Sequence, residues 1–201
     1  GLDTWFHPTV DVQRANEIDL YAFDSKSKFD IIQPGDLVHC DFGISYLSLN
    51  TDCQELAYVL KPGEKQAPHF LVDALAQGNR VQDIFTNNFE VGVSGNVILK
   101  KSLEEASAEG LRPQIYTHPL GTYGHSAGTT LGMWDSQNGV AVNGDYPLHL
   151  NTSYAIELNT SVYITEWKKD IRVMLEEAGF IGSNGFRYIN KRQEKLLLVG
   201  D

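Results

Sequence analysis

HCDFGISYLSLNTDC, residues 39–53, sets Asp41 and Asp52 eleven positions apart, with Cys40 just before the first and Cys53 just after the second. β-like runs flank it: LVHCDF at 37–42 follows a PGD turn, and CQELAYVL at 53–60 precedes a KPGE turn. If the runs pair antiparallel, opposed residues share a constant index sum. A sum of 93 places Asp41 opposite Asp52 and Cys40 opposite Cys53. The aspartates then face each other at about 5 Å. The cysteines meet on the other side of the sheet, because side chains alternate. A bulge would shift this register. Apposed carboxylates repel unless a proton or a cation lies between them. The sequence therefore offers two readings: exposed hairpin aspartates held apart, or half of a metal site. Either way the thiols point away from the aspartates. They are expected to be packed and reduced, with a cross-strand disulfide within geometric reach.

Around this stretch the chain looks like one globular domain, 1–201, with 42% apolar and 21% charged residues. It opens GLDTWFHPTV, without Met or a signal-peptide pattern, so sequence upstream is expected to be missing. A net charge of −10 argues against a nucleic-acid partner. No run of about 18 apolar residues suggests a membrane partner. Two cysteines make a disulfide framework untenable and favour a reducing, cytoplasmic setting.

Residues 1–34 carry no clear period. Apolar groups at Ala67, Phe70, Leu71, Ala74, Leu75, Val81 and Phe85 predict a helix within 66–88. Ser94 caps a second helix over 95–109, with Leu99, Leu103 and Ala106 inward. SYAIELNTSVYI (153–164) and IRVML (171–175) read as strands. The order of strands, two helices, a glycine-rich loop and strands predicts an α+β fold with a largely antiparallel sheet.

Two further segments carry chemistry. YTHPLGTYGHSAGTTLG, 116–132, sets His118 and His125 seven apart among glycines that let backbone approach a ligand closely. That gap exceeds one helical turn, so two distinct roles fit better than a chelating pair. AIELN puts Glu157 in an apolar strand, where a charge needs a partner or a metal. In IRVMLEEAGF, Glu176 shares a face with Arg172 and Met174, and Glu177 shares the other with Val173 and Leu175.

Asp41, Asp52, His118, Glu157 and Glu176, in that order, resemble the site of the pita-bread metallopeptidases. These are methionine aminopeptidase, aminopeptidase P and prolidase, with creatinase as a relative. PGDLVHCDFG followed by TD, then HPLGTYGH and AIEL, carry the likeness, which spans roughly 34 to 190. The resemblance implies a curved antiparallel sheet with helices on its outer face. It implies two divalent ions, Mn²⁺ first, with Co²⁺, Fe²⁺ or Zn²⁺ as alternatives. Asp41 would chelate one ion, Asp52 would bridge both, His118 and Glu157 would bind the other, and Glu176 would bridge. His125 would contact the substrate carbonyl, and Glu157 would shuttle a proton. The implied activity is removal of an N-terminal residue from a peptide substrate, with Xaa-Pro peptides included. Relatives of this kind often carry an N-terminal domain and form homodimers.

The chain departs from that pattern in two places. Many members carry Arg-x-Glu at the last glutamate, and here Met174 stands two after Arg172. Glu176, nine residues before Gly185, is the favoured match, and Glu177 is the runner-up. The family also has a histidine some eighteen residues before the first Asp, where this chain has Leu20, Tyr21, Ala22 and Phe23. His7 is the nearest upstream substitute. These departures leave open a second reading, an inactive homologue acting as a binding module.

Overall fold

A computed structural model describes residues 1–15 and 31–200. The first strands are β1 (Asp3–Thr4), β2 (Thr9–Gln13), β3 (Leu37–Phe42), β4 (Ile44–Tyr46), β5 (Leu49–Asn50) and β6 (Cys53–Val59). Two helices follow, α1 (His69–Asn87) and α2 (Gly95–Ala108). Then come β7 (Pro113–Ile115), β8 (His118–Pro119), β9 (Thr152–Ile164), β10 (Lys169–Gly182), β11 (Gly185–Tyr188) and β12 (Leu197–Val199). The main sheet runs β2-β3-β6-β10-β9-β7, with β8 on β9, β11 on β10 and β12 on β6. Only β12 pairs in parallel among the described strands; the rest is antiparallel, curled into a half-barrel.

The helices form where their apolar period says they should. Leu71, Ala74 and Leu75 of α1 pack on Val162, Ile171, Val173 and Leu175 of the long β9–β10 pair. Val81 and Phe85, with Ile98 and Leu99 of α2, pack on Ile156 and Leu158. Ser94 caps α2 by accepting from Val97 N–H. This packing turns one face of β9 and β10 toward the helices. By alternation, Glu157, Met174 and Glu176 go to the other face. β10 is far longer than the IRVML segment, because Glu176 and Glu177 lie inside the strand rather than at its end.

Gly78 lies at the centre of this contact. A Cβ there would stand 2.7 Å from Val173 Cγ1 and 2.9 Å from Leu175 Cδ1. Alanine favours a helix interior over glycine by about 1 kcal/mol, but overpacking a core costs about 1–3 kcal/mol. Gly78→Ala is therefore expected to lose about 1 kcal/mol in urea denaturation, the reverse of an ordinary helical Gly-to-Ala change.

The register of the first hairpin differs from the expected one. β3 and β6 pair with Asp41 opposite Gln54 and Cys40 opposite Glu55, an index sum of 95 rather than 93. The reason is the connection. After Phe42 the chain leaves the main sheet to form β4, which pairs with β1 and with β5. Leu47 and Ser48 turn this small hairpin with φ of 50° and 63°. Asp52 then stands one residue before β6. A slip of two residues preserves the face, so both aspartates still point the same way, on a diagonal. Cys40 and Cys53 likewise share the opposite face, and both thiols are free.

Between β6 and β10 only one residue pair is in register, Gln54 with Glu176. Buried glutamine side chains pair with peptide groups of both strands, Gln13 with β10 and Gln193 with β6. Gln13 of β2 donates to Arg172 O (2.8 Å) and accepts from Arg172 N (2.7 Å). Gln193 accepts from Leu56 N (2.8 Å) and donates to Leu56 O (2.7 Å).

Candidate metal centre

Five segments bring their polar groups to one place. β3 supplies Asp41, the residue before β6 supplies Asp52, β8 supplies His118, β9 supplies Glu157 and β10 supplies Glu176. Glu157 and Glu176 are cross-strand partners. His118 is fixed because β8 pairs Ala155 opposite it, two residues before Glu157. Thr117 locks the same turn by donating its hydroxyl to Glu157 O at 3.0 Å.

His118 Nε2 lies 3.6 Å from Asp52 Oδ2, 3.9 Å from Glu157 Oε2 and 3.8 Å from Glu176 Oε1. One ligand atom each from Asp52, His118 and Glu176 falls within a 4.8 Å group. Asp52, His118, Glu157 and Glu176 are all buried, Glu176 to 1% exposure. Asp41 is partly exposed but keeps its Oδ1 buried. His118 Nε2, Glu176 Oε1 and Asp41 Oδ1 are buried without a hydrogen-bond partner. His118 Nδ1–H donates to Pro119 O at 3.2 Å, which leaves the Nε2 lone pair turned toward carboxylate oxygens. A lone pair and like charges in a buried cluster are the donor set of a cation, so the residues fit a divalent ion.

The electrostatics say the same. Burial, then the Asp41 charge, pushes Asp52 up to about 8. Burial and neighbouring carboxylates raise Glu157 and Glu176 well above the usual range. Burial raises Asp41 to about 6. Burial, followed by His125, lowers His118 to about 4, so its imidazole is neutral, as a metal ligand must be.

A cavity of about 300 Å³ opens over these groups. Its floor is Asp41, Asp52, Gln54, Glu157 and Glu176, and its walls include Trp5, Phe6, Tyr116, Met174 and His125. His125 is exposed at the rim, with its ring centroid 4.3 Å from that of His118 and 5.5 Å from that of Trp5. Trp5 Nε1–H donates to Thr51 O at 2.7 Å, which ties the N-terminal segment to the approach to Asp52. Gly124 is required here, since a Cβ would sit 2.3 Å from the Trp5 ring.

The structure thus brings Asp41, Asp52, Glu157, Glu176 and His125 to one cavity, with His118 next to three of these carboxylates. Glu177 goes elsewhere: it lies on the opposite face from Glu176 and accepts from Gln193 N at 2.6 Å. His7 is exposed, bonded to its neighbour Pro8, and is not among the lining residues. Trp5 and Phe6 reach the cavity instead. Leu20, Tyr21, Ala22 and Phe23 lie outside the described residues. Met174, two residues after Arg172, lines the cavity as an apolar group. Sequence reasoning missed His39, Gln54 and Asp11. The first two were within reach of it, because they stand two residues from Asp41 and Asp52 and so share their face.

No protein-family model and no curated protein matches this chain. Solved structures do. An X-Pro aminopeptidase from Thermotoga maritima superposes with a TM-score of 0.70 at 16% identity, over 99% of this chain and 51% of that one. A Xaa-Pro dipeptidase from Bacillus anthracis gives 0.65 at 20% identity, over 98% and 49%. The N-terminal domain of FACT complex subunit SPT16 from Eremothecium gossypii gives 0.71 at 12% identity, over 98% and 43%. The chain spans about half the length of these proteins. It has their pita-bread fold, a fold found both in these peptidases and in a FACT complex subunit.

Proposed function

We propose that the chain carries the site of a metal-dependent aminopeptidase or dipeptidase that hydrolyses the N-terminal residue from peptides, Xaa-Pro peptides among them. One observation carries this reading: Asp52, His118 and Glu176 converge in a buried group within which His118 Nε2 and Glu176 Oε1 have no hydrogen-bond partner. Two ions would be held, one by Asp52, His118, Glu157 and Glu176, the other by Asp41 with the bridging Asp52 and Glu176. Mn²⁺ suits this oxygen-rich set with one imidazole. Such ions acidify a water and polarise a carbonyl.

This chain's residues do the rest. Glu157 takes the proton of the attacking water and delivers it to the leaving amine. His125, at the rim, donates to the carbonyl oxygen as negative charge builds there. Burial lowers its pKa, which favours the neutral ring with a single N–H. Trp5, Phe6 and Met174 give the cavity apolar walls, which suit an uncharged first residue.

The test is a panel of Xaa-Pro dipeptides and longer peptides, with and without Mn²⁺, followed by mass spectrometry. Release of the first residue that requires Mn²⁺ and stops with chelator is expected. Tight uptake of Mn²⁺ without cleavage of any peptide would overturn the hydrolase reading. Absence of uptake would favour the binding-module reading, to which the SPT16-like fold lends support.

A further inference from the structure

Gln54 sits under the two glutamates. Its Nε2 donates to Glu157 Oε1 at 2.8 Å and to Glu176 Oε2 at 3.0 Å. Both protons of the amide are thereby used. The remaining oxygens, Glu157 Oε2 and Glu176 Oε1, are the ones turned toward His118. Two glutamates directly opposite on adjacent strands would otherwise repel and swing apart. A side-chain amide can be built either way round, and the reverse orientation would set its oxygen against two carboxylates. His39 matches the first orientation. Its Nε2–H donates to Gln54 Oε1 at 2.9 Å, within a buried pair. His39 stands on β3 opposite Asp11 of β2, and its Nδ1, 3.5 Å from Asp11 Oδ2, makes no hydrogen bond.

We infer that Gln54 is a positioning residue for the metal ligands, and that His39 acts through it by fixing the direction of its amide. The pair selects which oxygen of each glutamate reaches the ion. Without it, the glutamates keep their strand positions but lose their common orientation. This inference rests on the metal reading of the same site. It adds two residues to that reading, both acting through the glutamates.

Co²⁺ is the probe, because its visible absorption reports ligand geometry. Gln54→Leu keeps side-chain volume and removes the amide. It is expected to weaken Co²⁺ binding by about 10- to 100-fold and to shift the absorption band. His39→Leu should do the same, and His39→Gln, which restores an N–H of similar reach, should recover most of the affinity. In a Gln54→Leu background, His39→Leu should change affinity by less than about twofold, since its route is gone. Unchanged affinity and spectrum in Gln54→Leu overturn the inference while the metal reading stands. Equal losses from His39→Leu in both backgrounds overturn the part assigned to His39. If Gln54→Leu does not fold by circular dichroism, the pair His39→Leu and His39→Gln decides: recovery supports the inference, and no difference overturns it. A wild-type chain that takes up no Co²⁺ overturns both readings.

Discussion

Asp52→Asn is expected to lower divalent-ion affinity by more than about 100-fold, beyond what loss of an outer partner gives, and to abolish turnover. Asp52 is the carboxylate nearest His118 Nε2, and it lines the cavity with Asp41 and the two glutamates. Asparagine keeps the shape but removes the charge, so the remaining carboxylates lose the group that would join two ions. The same change should stabilise the metal-free protein. Burial and Asp41 raise the Asp52 pKa, so ionising it in the fold costs free energy that asparagine does not incur. Isothermal titration with Mn²⁺ and thermal melting of the metal-free chain check the two halves together. Wild-type affinity in Asp52→Asn would sink the assignment. Equal loss of affinity and melting temperature would point to misfolding instead.

The second large effect is on stability against pH. In the metal-free fold, Asp52 is raised to about 8, Asp41 to about 6, and Glu157 and Glu176 also upward. A carboxyl with a folded pKa above its unfolded value binds more protons folded than unfolded. Stability then falls as pH rises through the window from about 4 to about 8. His118 has the opposite sign. Its pKa is lowered to about 4, so the unfolded chain holds its proton up to about 6.5, and stability rises with pH in that range. The two effects oppose each other below about 6.5, and only the carboxylates act above it. The metal-free melting temperature should therefore drop most steeply between about pH 6.5 and 8, by on the order of 10 °C. Saturating Mn²⁺ should remove the drop, because the ion holds the carboxylates charged in the fold. A flat metal-free profile in that window would contradict the clustering of these groups.

Much of this was legible before any coordinate. The helical period gave α1 and α2, because their apolar residues stand at three- and four-residue steps. Alternation was enough to separate Glu176 from Glu177, since adjacent strand residues cannot share a face. The register was not legible. The β4–β5 excursion between Phe42 and Asp52 cannot be told from a plain loop by composition. The extent of β10 was obscured because two glutamates resemble a strand end unless their burial is known. The contribution of Trp5 and Phe6 was hidden for another reason: it depends on contacts 46 residues apart, such as Trp5 to Thr51, which no local pattern encodes. Gln54 and His39 were passed over because they are not ligand types in the motif, although their strand positions pointed at the site.

The single register pair between β6 and β10 has a mechanical meaning. It divides the sheet along a seam, with β2, β3 and β6 on one side and β7, β9 and β10 on the other. Asp41 and Asp52 belong to the first side; His118, Glu157 and Glu176 belong to the second. Glutamine amides span this line, Gln13 to Arg172 and Gln54 to Glu157 and Glu176. An ion bound by both sets of ligands would act as a rivet through the seam. Its loss would free the two halves to breathe against each other while each kept its own strands. The groups suited to chemistry would then also be the closure of the fold.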